Sequence, residues 1–310
     1  RAVHTAEAAG LAAVAARAGA DLAVALHEMG HFADAEARYR RSLDVLRAHG
    51  DAVNEAITMI CLANVLTDQG RRAEALALHD GALAVTRRVA AVHIEAVALT
   101  NVGEIRLRLG DLEGARAAFR ACLELTRDTG ERRVESYALH GLGMLAKWLG
   151  DVDEARRRLG AALALRRAIG HKPGEADTLL ALATLDAEHG ATAAATASLD
   201  AALPVAQAVG DPSLLAMVRL TRATLPGGDA VAARAALEAL GSRLKLDARL
   251  EGHHLLWRAT GDPADLEAAR RLLEQAVAGA PPAARAVMRE RVPLHRAVAE
   301  GGRGPVGVVR

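Results

Sequence analysis

At 310 residues the chain is long enough for two or three compact domains or for one extended array. Hydrophobic residues make up 51% but aromatics only 2%, so Ala, Leu and Val carry the apolar content, which suits closely packed helices and argues against a β-sandwich or barrel. A net charge of +1 removes the electrostatic reason to expect nucleic acid, and no apolar run reaches the roughly 18 residues of a membrane span, Arg17 and Asp21 breaking the best stretch.

Residues 1 to 10 read as the second helix of a unit whose first helix is missing, with no polar cap. Stacked arrays need covered ends, so more protein is expected before Arg1. The next stretch, "LHEMGHFADA", spells H-E-x-x-H at His27-Glu28-Met29-Gly30-His31, the zinc-protease signature of two imidazoles one turn apart with a glutamate between them as general base. Asn54-Glu55 downstream looks like the segment that supplies a third, carboxylate ligand. The two cysteines, Cys61 and Cys122, stand far apart and form no CxxC pair. They read as buried reduced thiols of a cytoplasmic protein. Basic residues that are nearly all Arg, with much Ala and Gly, point to a GC-rich bacterial genome.

A repeat governs the chain from Leu11 to Gly210. Glycines stand forty apart at Gly30, Gly70, Gly110, Gly150 and Gly190, each followed five residues later by alanine (Ala35, Ala75, Ala115, Ala155, Ala195). A second series, Gly10, Gly50, Gly130, Gly170 and Gly210, lies halfway between, with Ala90 filling the gap. Apolar residues inside each half recur at three and four, so each period is a helical hairpin and the whole is a stacked array. In each first helix a large residue precedes a small one, as in Leu62-Ala63, Val102-Gly103 and Leu142-Gly143, which allows close helix approach. Tyr39 and Phe119 share a second-helix position with Leu159 and Leu199 and are expected in the core. Arg47, Arg87, Arg127 and Arg167 fall in last turns and Glu55, Glu95, Glu135 and Glu175 in first turns, where each complements the helix dipole.

The repeat also bears on the zinc signature. Gly30 is a turn residue, so the helix of His27 is expected to end there, and His31 aligns with Asp111 and Asp151 as an N-cap. Glu55 belongs to the glutamate series. Zinc catalysis is therefore the remote alternative. Gly302, Gly304 and Gly307 spell G-x-G-x-x-G, but the context is a tail (301 to 310) without strand or helix. His253-His254 and Arg156 to Arg158 read as packing and as a solvated face.

After Gly210 the register loosens. Residues 211 to 280 read as two degenerate units, with turns at Pro226-Gly227-Gly228 and Gly261-Asp262-Pro263. A single helix from Ala283 to Glu300 (the 281 to 300 segment) is expected to cap the array.

The segments "TNVGEIRLRLGDLEGARAAFRACLEL" (Thr100 to Leu125) and "HGLGMLAKWLGDVDEARRRLGAALAL" (His140 to Leu165) resemble the tetratricopeptide repeat in a forty-residue form. The resemblance implies an all-α, right-handed superhelical solenoid of antiparallel helix pairs, whose first helices line a concave groove for a protein or peptide. Carried onto this chain, the groove positions are Ile57, Ile60, Asn64, Thr67 and Asp68; Val97, Thr100, Glu104, Leu107 and Arg108, with Asn101 alongside; Tyr137, His140, Met144, Lys147 and Trp148; and Asp177, Leu180, Thr184, Ala187 and Glu188. Tyr137 and Trp148, with Met144 and Lys147, have the makeup of an interface hot spot, packing against the neighbouring unit being the alternative. No catalytic residue, cofactor or metal is expected. The implied role is the regulatory or sensor segment of a larger signalling ATPase, kinase or transcription regulator, with that domain upstream in the same chain. A free-standing assembly adaptor is the alternative.

Overall fold

The computed structural model describes residues 11–302, which form sixteen α-helices and, among them, no strand. The first ten helices are five hairpins. They are α1 (Ala12–Glu28) with α2 (Phe32–Ala48), α3 (Ala52–Asp68) with α4 (Arg72–Arg88), and α5 (Val92–Arg108) with α6 (Leu112–Thr129). The last two are α7 (Arg132–Leu149) with α8 (Val152–Ala168), and α9 (Lys172–Glu188) with α10 (Thr192–Val209). Then come α11 (Pro212–Ala223), α12 (Ala230–Leu240), α13 (Leu246–Thr260), α14 (Pro263–Ala278), α15 (Arg285–Arg291) and α16 (Pro293–Glu300). Segments 1–10, where a partial helix is expected, and 303–310, with Gly304 and Gly307, lie outside the described residues.

Each first helix stops in the same way. The turn glycine takes a left-handed conformation, φ +78° at Gly30 and +83° at Gly70, and the next amide reaches back five residues. His31 N donates to Leu26 O at 2.8 Å, Arg71 N to Leu66 O at 2.8 Å and Asp111 N to Arg106 O at 2.9 Å. The bend at Gly30 separates His27 from His31. His27 Nε2 instead meets Asp68 Oδ2 at 2.7 Å, and His31 is the N-cap of α2 without a side-chain capping bond. The H-E-x-x-H letters therefore do not share a helical face.

The half-period turn after α4 repeats the geometry without a glycine. Ala90 sits at φ +53°, and Ala91 N donates to Thr86 O at 2.9 Å. A side chain in the left-handed region costs about 1–2 kcal/mol, against about 0.5–1 for glycine's extra freedom when unfolded. Ala90→Gly should thus stabilise the fold by about 0.5–1 kcal/mol, read as a higher urea midpoint at unchanged slope.

Between helices the small residues do what their spacing implies. Ala35, Ala75, Ala115, Ala155 and Ala195 are fully buried, as are Tyr39, Phe119, Leu159 and Leu199 on the second helices. The Phe119 ring fills the space two glycines leave: a Cβ on Gly103 would lie 2.6 Å from it, and one on Gly141 closer still. The arginine and glutamate series pair with each other across three of the four half-period turns, while Glu135 lies 3.6 Å from Arg132 of its own helix. Arg47 reaches Glu55 at 2.9 Å, Arg87 reaches Glu95 at 2.8 Å and Arg167 reaches Glu175 at 2.9 Å. With arginines about half exposed, these bridges set register more than they add stability.

Successive first helices pack on one another, α1 on α3, α3 on α5, α5 on α7, α7 on α9 and α9 on α11, as well as on their own second helices. First helices therefore take the inside of the curve and the array bends into a solenoid of helix pairs, the all-α architecture expected.

The closing segment differs from the single helix expected over 281 to 300. Pro282–Ala284 is a 3₁₀ turn, α15 ends at Arg291, and Val292 is extended (φ −79°, ψ 115°) before Pro293 opens α16. The proline ring excludes the helical conformation at the residue before it, so one helix becomes two.

Candidate functional site

The curvature brings the end of the chain back to its beginning. The Cα of Gly30 lies against Arg243 and that of Gly70 against Leu246 and Gly279, while Gly110 faces Val287 and Arg291. Ala73 N donates to Gly279 O at 3.0 Å. The 3₁₀ turn before α13 and helices α13 to α15 thus cover the hairpin turns of the first three units. Leu246, Leu250, Leu272, Leu273, Met288 and Val292 join the same core cluster as Leu62, Leu66 and Val102.

Ion pairs span that contact. Arg72, fully buried, donates to Asp247 and, at 3.3 Å, to Ala276 O, and Arg108 donates to the other Asp247 oxygen at 2.6 Å. Lys245 lies 3.2 Å from Asp68. Burial alone would raise the Asp247 carboxyl, but Arg72 and Arg108 outweigh it and hold it well below the usual carboxylate range. Burial likewise pushes the Asp68 carboxyl up, but Lys245 and His27 overcome it and the group ends below its ordinary value.

The inward positions of the first helices carry a charged lining. Glu104 pairs with Arg108 at 2.9 Å. Lys147 Nζ donates to Thr184 Oγ1 at 2.9 Å and lies 3.2 Å from Glu188, both charged groups being nearly buried. Asp177 meets Arg166 at 3.3 Å and His140 at 3.4 Å. Burial pushes the His140 imidazole down despite Asp177. Thr67 spends its hydroxyl on Ala63 O of its own helix at 2.9 Å, and Asn64 is half-buried.

The aromatic pair is divided. Tyr137 and Trp148 are eleven residues apart on α7, about 16 Å along the axis. Tyr137 is at the outer end, its hydroxyl 3.3 Å from His171 Nε2 and its ring under the Arg166 guanidinium at 5.1 Å. Trp148 and Met144 are half-buried against the clusters around Leu107 and Leu145. Asn101 leaves the groove altogether. It occupies the column of Cys61, which lies beside Tyr39, and of Gly141, which lies on Phe119. By register its counterpart is His79, so it belongs between the second and third units, with its buried Nδ2 unpartnered.

The α13 contribution had no register by which to be anticipated. Counted back from Gly261, which takes the turn conformation at φ +76°, Glu251 and Arg258 hold the columns of His140 and Lys147. Among the described residues neither makes an ion pair, and Arg258 Nε is buried without a partner. Burial pushes the Glu251 carboxyl above its ordinary range, Lys147 and Arg108 offsetting too little, while Glu188 and Asp247 add to the rise.

These features define a helical-repeat scaffold with a charged inner face half-closed by its own C-terminal hairpin. Residues 54–128 and 135–208 match the tetratricopeptide repeat family, and the chain is a tetratricopeptide repeat protein. Similar solved structures include a Rap protein complexed with competence and sporulation factor (17% identity, 94% of this chain and 76% of that one, TM-score 0.71). Another is the Rap conjugation gene regulator of the plasmid pLS20 in complex with the Phr* peptide (13% identity, 91% and 76%, TM-score 0.72). A third is a signal transduction ATPase with numerous domains and a tetratricopeptide repeat sensor from Pyrococcus horikoshii (14% identity, 93% and 45%, TM-score 0.57). At these identities the likeness is one of fold. No curated protein matches the sequence.

Proposed function

We propose that the chain binds a peptide, or an extended segment of a protein, along this inner face, and serves as the sensor segment of a larger signalling protein. One observation carries the binding reading. Columns that hold the units together repeat from unit to unit, whereas the inward columns do not: Asp68, Arg108, Trp148 and Glu188 in one, Asn64, Glu104, Met144 and Thr184 in the next. Packing needs repetition, while recognition of an aperiodic ligand needs a face that changes along its length. Two solved structures of the same fold are complexes, one with competence and sporulation factor and one with the Phr* peptide, which supports the reading.

The sensor role is supported by the ATPase, of which this chain spans under half, 45%. A free-standing regulator or adaptor is the second reading, supported by the Rap proteins, of which it spans 76%. No helix among the described residues is long and apolar enough to cross a membrane. A cytoplasmic setting, and the absence of catalysis, belong to the same proposal.

Peptides panned from a random display library on the purified chain should lose about 1.5–3 kcal/mol of affinity, by calorimetry, against Lys147→Met. That change keeps the hydrocarbon stem and removes the charge. Failure to select any peptide, or equal affinity for the variant, would overturn the reading.

A further inference from the structure

Among the described residues, every inward carboxylate from α3 to α13 but one already has a cation. Asp68 has His27 and Lys245, Glu104 has Arg108, Asp177 has Arg166, Glu188 has Lys147, and Asp247 has Arg72 and Arg108. Glu251 is the exception, and on the same helix Arg258 is equally without a counter-charge among the described residues. Self-pairing does not satisfy them. Seven residues apart, they lie within about 20° on one face of α13, but about 10.5 Å along its axis. By register both sit in inward columns: Glu251 within the field of Lys147, Arg108, Glu188 and Asp247, and Arg258 within that of Glu188 and, more weakly, of Glu251. A half-buried charge without a partner costs free energy, so an array that pairs the other inward carboxylates of α3 to α13 has left these two for something else.

We propose that Glu251 and Arg258 are the two ends of a peptide subsite that takes a basic side chain at the first and a carboxylate, from an acidic side chain or a chain terminus, at the second. The spacing selects the ligand. In the polyproline II conformation a peptide rises about 3.1 Å per residue with three residues per turn, so residues i and i+3 project from one side about 9.3 Å apart. A flat β-strand would put them on opposite faces. The subsite therefore reads a cation and an anion three residues apart on an extended peptide. With basic before acidic the peptide runs parallel to α13, and with the order reversed it runs antiparallel. This rests on the peptide-binding reading above and adds the charge pattern to it.

The test is a random twelve-residue display library selected in parallel on the unmodified chain, on Glu251→Gln, on Arg258→Gln and on the double variant, each checked for folding by circular dichroism. On the unmodified chain, Lys or Arg paired with Asp or Glu at a separation of three should be enriched about tenfold over other separations, the factor one charge-assisted contact supplies. Glu251→Gln should abolish the preference for the basic member alone, Arg258→Gln the acidic member alone, and the double variant both. Glu251→Gln is isosteric and removes an unpaired charge, so it should melt no lower than the parent. Should a variant not fold, the enrichment on the unmodified chain still decides. Binders without that pattern, or with a pattern that survives the double variant, would overturn the subsite and leave groove binding intact. A library that yields no binder at all would sink both.

Discussion

Acidification from pH 7 to pH 4 is expected to remove most of the stability of this fold, and the cause is three buried imidazoles. His79 and His254 are fully buried and His295 is 4% exposed. Burial, the dominant influence at each, pushes them down to about 4. In the unfolded chain they titrate near about 6.5. Between those values the unfolded state binds protons that the folded state refuses. Stability is therefore fully present above about pH 6.5 and is lost as the pH falls towards 4, by about 3 kcal/mol for each histidine. Three acting together give a slope approaching about 4 kcal/mol per pH unit, enough to consume the roughly 5–15 kcal/mol of a typical domain. The depressed carboxyls of Asp68 and Asp247 act in the same direction but lower. Their contribution is present above the unfolded carboxylate range and is lost as the pH falls through their folded values. Urea titrations at pH 7, 6 and 5 measure the slope. His79→Leu, which restores the residue found at Leu159 and Leu199, should flatten it by about 1.4 kcal/mol per pH unit. An unchanged slope in that variant would show that His79 is not the proton acceptor.

Phe119→Ala should cost about 3–5 kcal/mol. The ring is 2% exposed and lies on Gly103 and Gly141, neither of which has a side chain that could move into the void. Phe119→Leu should recover part of the loss and no more, because the glycine faces are shaped for a flat ring. Unfolding curves for both variants, compared at constant slope, decide it; a cost below about 1 kcal/mol for alanine would mean the units close over the gap.

Two buried polar groups had a signal in the sequence that went unread. His79 replaces Tyr, Phe or Leu at a core position, and Arg72 replaces Phe32, Leu112 and Val152 at another. A polar residue in an apolar column is a visible anomaly, and both proved to be buried. The Arg–Glu bridges were equally present, as two series eight residues apart, but the dipole accounts for each series alone and hid their pairing. Asn101 misleads because it sits one position from Thr100, and one position on a helix turns a side chain by about 100°.

Within a forty-residue period, the residues alone determined the helix pairs, the left-handed turns at the glycines, the bend that parts His27 from His31, and the small-against-large packing. Each of these depends on neighbours a turn or a hairpin away, so composition and spacing suffice. Only the assembled solenoid decided that α13 returns to the first three units, that Asp247 reaches Arg72 across 175 residues, and that Glu251 and Arg258 face the interior unpaired. Small rotations between successive units add up over the whole array, and where its end lands is a property of their sum, which no single period encodes.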